Sequence, residues 1–498
     1  MSQGKGNAIL PRLAAILAIL IGVFLLFALE QGTARLRQAR LAEEAGEYAR
    51  AVQLYREVGK VFFWQRTHWQ TKAAQSAYQM ADYDQVIGLL APLHERGLLP
   101  YEAQILLART YLETANSEAV LSLRQEWVQR GYSTDPIDLS LLELLTEQGR
   151  FGQTLPILEA LVVRQPEQAE WHYRLGLVLA AESPAQAIAP LQQAAQLDES
   201  YQPEVAVLLE QLAQPASEAA LSYLYAGRGL ASLDEWALAL VAFQHAVEQR
   251  PDFAEAWAYL GLARLRLAPP LPSGGLQKQP IEEEERHLSR RKEARPGLDE
   301  IRFALQLSPH SQVALAFMTL YWQEVGDSRL ALQSASRAFQ LYPNDLNVRL
   351  QYAQALAQSG DLEAGWRILS EWVRASSDTV AARKTLVLYC VQYGFRLQED
   401  ALAYAKELVS QMPNDVESLD LLGQVYLGLQ EWSQAQQTFE RALSLDAAYA
   451  PALLHLGMIH LAQGNIAIAR AQFQRVVAVS PYSPSGKQAQ RYLEIYLP

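Results

Sequence analysis

The 498 residues are half hydrophobic, 19% charged and 9% aromatic, a globular balance that excludes a wholly disordered chain. Lys and Arg number 42 against 54 Asp and Glu, and a net charge of −12 argues against bulk nucleic-acid binding, which needs cations to neutralise phosphates. The single cysteine, Cys390, excludes an internal disulfide and a cysteine-rich zinc site.

Residues 1–12 form a short tail with Lys5 and Arg12. Residues 13–29, LAAILAILIGVFLLFAL, carry no charge and no strongly polar group. That run, extended by Ile9 and Leu10, approaches the ~20 residues a helix needs to cross ~30 Å of hydrocarbon. It predicts a transmembrane anchor. A cleaved signal peptide competes with it, but Leu26-Phe27-Ala28 makes a poor cut site and Gly32-Thr33-Ala34 lies late, so the reading favours an uncleaved anchor. Lys5 and Arg12 before the run nearly balance Arg35, Arg37 and Arg40 after it. The basic tail tips the orientation towards an inside N-terminus and an extracytoplasmic body.

From residue 32 the chain repeats with a period of about 34 residues. Residues 416–449 and 450–483 align without gaps: Leu422 with Leu456 at position 7, Gly423 with Gly457 at 8, Ala435 with Ala469 at 20, and Phe439 with Phe473 at 24. Position 32 holds Ala447 or Pro481. The same frame fits 220–253 through Gly227, Ala239, Phe243 and Pro251, and 312–345, 382–415, 169–201 and 135–168 with similar residues. It fits 32–65, 67–99, 100–133 and 346–379 more loosely. Each unit reads as two amphipathic helices. Gly or Ala at positions 8 and 20 lets the two helices approach closely, and Pro at 32 ends the second.

This pattern resembles the tetratricopeptide repeat family. The carrying residues are those quoted, with Trp257 at position 4 of the unit beginning at 254. The resemblance implies an all-α solenoid, a right-handed superhelix of helix pairs stabilised by stacking. The predicted organisation is a first array at 32–201, a connector helix at 202–219, a second array at 220–483, and a capping helix at 484–498. The seventh unit starts normally at Trp257, Leu260 and Gly261, but its second helix matches Ile301, Ala304, Leu307 and Pro309. An insertion at about 269–292 separates them. It opens on Pro269-Pro270-Leu271-Pro272 and carries blocks of opposite charge. Two readings stand, a tolerated surface loop and a docking segment.

The motifs of catalysis are missing from the sequence: no phosphate loop, dinucleotide fingerprint, zincin helix or nucleophile elbow. Asp82-Tyr83-Asp84 falls in a predicted inter-helix turn. His455 and His460 do not share a helix face, so the expectation is His455 on the groove side and His460 in packing. Cys390, Trp236 and Trp432 read as packing residues. No enzyme activity, metal or cofactor is expected, and no nucleic acid or small-molecule substrate.

In the family resembled, the first helix of each unit lines a concave groove. The corresponding positions 5 and 9 are Leu224 and Arg228, Ala258 and Leu262, Ala316 and Leu320, Leu350 and Gln354, Leu386 and Cys390, Asp420 and Gln424, and Leu454 and Met458. They lack the Lys and Asn pairs of the family's carboxylate clamp. A mostly apolar groove suits a helical or extended apolar segment of another protein, unless the superhelix or the connector helix fills it. The resulting expectation is a membrane-anchored scaffold for protein–protein interaction, set in envelope or membrane-complex assembly. The alternatives are a secreted soluble scaffold after signal cleavage and an accessory subunit of an enzyme complex.

Overall fold

The computed structural model describes residues 9–269, 295–375, 379–481 and 483–496. Before residue 30, only the side chains of Leu20, Val23, Leu26, Phe27 and Leu29 are described. The described residues form helices joined by short turns, with no strand among them. They divide into two compact units, one ending at Ile157 and one beginning at Leu158. The connector helix expected at 202–219 falls within the second of these units. There the Gln202–Leu212 helix packs tightly: a Cβ on Gly229 of the next helix would lie 2.6 Å from Leu208. The connector is therefore integral to the second unit.

Helix pairing follows from the small residues of the frame. A Cβ on Gly227 or Gly423 would sit 2.4 Å from the ring of Phe243 or Phe439. On Gly457 it would sit 2.6 Å from Phe473. All three rings are fully buried, and each contributes about 2–3 kcal/mol of apolar transfer. The glycine at position 8 is thus the socket for the aromatic at position 24. In the seventh unit the Leu298–Leu307 helix supplies the partner, with Ile301 and Ala304 fully buried. A Cβ on Gly261 there would meet the Gly297 carbonyl at 2.6 Å, and Gly297 itself has φ 100°. Residues 270–294, nearly all of the expected insertion, lie outside the described residues. Arg295 donates to the Pro269 carbonyl at 2.8 Å, so the two ends of that segment meet.

The turn between paired helices has one recurring feature. Position 15 is left-handed in most units, at φ 64° for Asp234, 61° for Gln430 and 78° for both Gly326 and Gly464, though not at Ser183, whose φ is −153°. The second feature is how the chain satisfies the carbonyl at position 32, freed where the preceding helix ends. Trp257, His172 and Arg349, all at position 4, reach the carbonyls of Pro251, Pro166 and Pro343. Where position 4 is leucine, an arginine at position 26 does the same work: Arg337 to Pro309, Arg441 to Pro413 and Arg475 to Ala447.

The Ile9–Glu44 helix runs unbroken from the apolar run into the first repeat. Its C-terminal half is the first helix of that repeat. Ala39 and Ala42 are buried there, and Tyr55 of the second helix donates to Glu43 at 2.6 Å. Among the described residues no helix is long and apolar enough to cross a membrane. The anchor expected at 13–29 rests largely on side chains outside the described residues. At the other end, the Pro484–Tyr496 helix closes the stack, with Tyr492 parallel to Phe473 at 4.9 Å. Its Lys487 pairs with Asp234, so the second unit curls until its last helix meets the turn of its unit at 220–253.

Candidate partner-binding face

The first helices place the twelve candidate residues on packed surfaces. Leu224, Ala258, Leu262, Asp420 and Leu454 are buried at 6% exposure or less. They are covered by the chain's own packing and are closed to a partner. Leu386 and Cys390 are fully buried as well, and burial pushes the Cys390 thiol up to about 12. The reason is geometric. Adjacent first helices stack side by side, and the side chains at position 5 fill the space between them. Ala316, Leu320, Leu350 and Met458 are half-buried, as are Arg228, Gln354 and Gln424. Arg228 lies over the Tyr259 ring at 5.9 Å, and Gln354 donates to Gln392 at 3.3 Å.

A polar network interrupts this face near the C-terminal end. Asp420 holds His455 Nδ1 at 2.8 Å through one oxygen and accepts from Gln424 at 2.8 Å through the other. The His455 ring rests against Phe439 at 5.2 Å. His455 thus stands on the first-helix face, and His460 Nδ1 is buried without a hydrogen-bond partner among the described residues. Nearby, Lys384 bridges Asp415, at 2.9 Å, and Glu417. Burial opposes ionisation of Asp415, yet hydrogen bonds from Ser418 and Lys384 outweigh it and hold its pKa below 3.8. For Lys384 burial likewise lowers the pKa, and the hydrogen bonds to Glu417 and Asp415 override it and raise the value above 10.5. Burial also raises the pKa of Tyr449, with Asp420 and Glu417 adding to it.

The first unit offers an open cleft of about 550 Å³ that the sequence reading did not name. Arg109, Leu112 and Glu113 line one side, and Ser140, Glu143 and Glu147 the other. These lie on the first helices of consecutive units. Its lining is acidic rather than apolar. The signal that could have marked it is a glutamate at positions 9 and 13 of the Asp135–Glu147 helix.

The remaining residues of interest resolve into turns and packing. Asp82 accepts from the Gln85 N–H at 3.1 Å and caps the Tyr83–Glu95 helix. Trp236 donates to Asp234 and carries Arg266 over its ring, and Trp432 packs beside Phe439. Among the described residues no three His, Cys, Asp or Glu side chains gather in a way that could hold a metal ion.

One tetratricopeptide repeat family model matches residues 141–201 and 421–484, and a second matches 33–62. The chain carries tetratricopeptide repeats. No curated protein matches it. Among solved structures it is similar to yeast Tom70, at 13% identity over 93% of this chain and 95% of that one, with a TM-score of 0.39. It is also similar to a chain of the APC/C hetero-tetramer Cut9–Hcn1, at 12% identity over 91% and 94%, with a TM-score of 0.34. A tetratricopeptide repeat protein from Parabacteroides merdae matches at 13% identity over 55% of this chain and 98% of that one, with a TM-score of 0.37. At these identities and scores the likenesses carry nothing about partners.

Proposed function

We propose that this protein is a membrane-anchored scaffold whose repeats bind other proteins along their first-helix faces, with its body outside the cytoplasm. The observation that carries the reading is the unbroken Ile9–Glu44 helix. It joins the uncharged apolar run to a repeat helix whose Ala39 and Ala42 are buried, so a partner held by the repeats is held at the bilayer. The same continuity favours an uncleaved anchor. A cut at Gly32-Thr33-Ala34 would fall inside that helix, where Gly32 is buried beneath Phe62. The body's placement rests on the basic tail ahead of the run. Envelope or membrane-complex assembly is the setting such a tethered scaffold serves. No reaction is assigned to it.

The test is carbonate extraction of membranes, with mass spectrometry of the mature N-terminus. Residues 1–28 should be present and the chain should stay in the pellet. A chain beginning after residue 28 in the soluble fraction would establish the secreted scaffold instead. Protease added outside intact cells should remove a C-terminal tag, and protection of that tag would reverse the orientation. Photo-crosslinkers at Gln354 and Met458 of the second unit should trap protein partners in cells, and labelling no better than at an exposed second-helix site would refute binding along this face.

A further inference from the structure

Phe63 and Trp64 are 72% and 59% exposed, in the short turn between the Tyr48–Val61 and Arg66–Tyr78 helices. Phe63 stands at position 32 of its unit, where six other units carry proline. The turn is not loose. Phe62 is half-buried on the long helix, where a Cβ on Gly32 would meet its ring at 2.8 Å. Trp64 lies edge-on to Phe62 at 5.6 Å and to Phe63 at 5.2 Å. Phe62 therefore pins the turn, and Phe63 and Trp64 are held outward as a rigid aromatic pair.

Where the turn is pinned decides what it meets. Gly32 is three residues past Leu29, the end of the apolar run, or about 4.5 Å along the helix axis. The polar zone beside the hydrocarbon is about 5–7 Å deep on each side, and it is where tryptophan concentrates. Leu26, Phe27 and Leu29 continue the exposed apolar surface along the helix. Lys60 and Arg66 flank the aromatic pair and are exposed, and Glu30 is the one exposed acid where the apolar run ends on the long helix. The two cations stand at the turn in a chain with net charge −12, as attraction to anionic headgroups requires.

We propose that the Phe63–Trp64 turn docks into the interface of the bilayer and holds the first repeat against the membrane. The proposal rests on the anchor reading above. The occupant is lipid, because Phe62 pins the pair three residues past the apolar run and Lys60 and Arg66 flank it.

The experiment uses the full chain with Trp64→Cys or, separately, Phe63→Cys, each labelled with an environment-sensitive dye. The native Cys390 is fully buried and stays unlabelled. The chain is reconstituted into phosphatidylcholine–phosphatidylglycerol vesicles, with and without lipid bearing a shallow nitroxide, and recovered by flotation. Leu139→Cys, exposed on a later repeat helix, is the comparison site. Dye at 63 and 64 should emit at shorter wavelength in vesicles and lose emission to the nitroxide, whereas dye at 139 should do neither. If the chain floats but dye at both positions emits as in water and escapes the nitroxide, docking is overturned and the anchor stands, with a protein left to cover the pair. If the chain does not float, the anchor and the docking fall together.

Discussion

Asp138 is 1% exposed, and a carboxylate so placed persists only with partners. Arg124 donates to it at 2.7 Å and Thr134 at 2.6 Å, and Arg124 also reaches the Pro156 carbonyl. Asp138→Ala should therefore cost the first unit about 3 kcal/mol or more, since it strands a buried guanidinium. Arg124→Met with Asp138→Leu should recover most of that loss in denaturant unfolding. Recovery no better than Asp138→Ala alone would show the pair to be worth more than its desolvation. The Lys384–Asp415 pair makes a pH prediction. Asp415 has a lowered pKa, so its contribution is present above 3.8 and is lost as pH falls through the lower folded value. Lys384 has a raised pKa, so its contribution holds below 10.5 and is lost above that. Lys384→Met should cost about 1 kcal/mol at neutral pH, and the difference from wild type should shrink in acid below pH 3.8. An unchanged difference in acid would mean the lysine acts by packing its stem. None of these pairings was legible in the sequence. Arg124 and Asp138 sit on helices of different units, and only stacking brings them together.

At the level of the helix pair, much was legible. Gly423 and Phe439 are marked as frame residues by the period, which repeats them at Gly457 and Phe473. Gly423→Ala should overpack this contact by about 1–3 kcal/mol. Hydrogen exchange within 416–449 should quicken, and rates equal to wild type would show that the Phe439 ring can move aside. Gln430 holds φ 61° with a side chain that disfavours it. Gln430→Gly should gain up to about 1 kcal/mol at that turn, the usual penalty of a left-handed non-glycine residue. A loss would show that the side chain repays its strain. The alternation of position 4 and position 26 in capping the proline carbonyl was not legible. The two sites lie on different helices and use three residue types for one purpose.

Across the whole chain, the insertion bears most on organisation. Its ends are joined by Arg295 and Pro269, and the helix pair on either side is complete. Replacing 271–293 with a short Gly-Ser linker should leave helix content and cooperative unfolding unchanged, as circular dichroism and denaturant titration would show. Lost cooperativity would make the segment structural. Capture of partners by the linker variant and the full chain then separates a tolerated loop from a docking segment. The compact units are not divided at the helix outside the repeat frame. The non-frame helix at 202–212 looked like a boundary, yet Leu208 fills the space opposite Gly229 and makes that helix part of the second unit.

The sequence by itself determined the period, the helix pairs, the glycine sockets and the apolar run, because each depends on residue type at fixed spacing along one chain. Tertiary structure alone decided which first-helix side chains remain open to a partner. Leu224, Ala258, Leu262, Asp420 and Leu454 occupy groove positions in the frame but are covered once neighbouring units stack. Stacking also set Asp420 against His455 and seated Phe62 on Gly32, turning Phe63 and Trp64 outward. Burial depends on what a neighbouring helix covers, and no single helix carries that information in its own spacing.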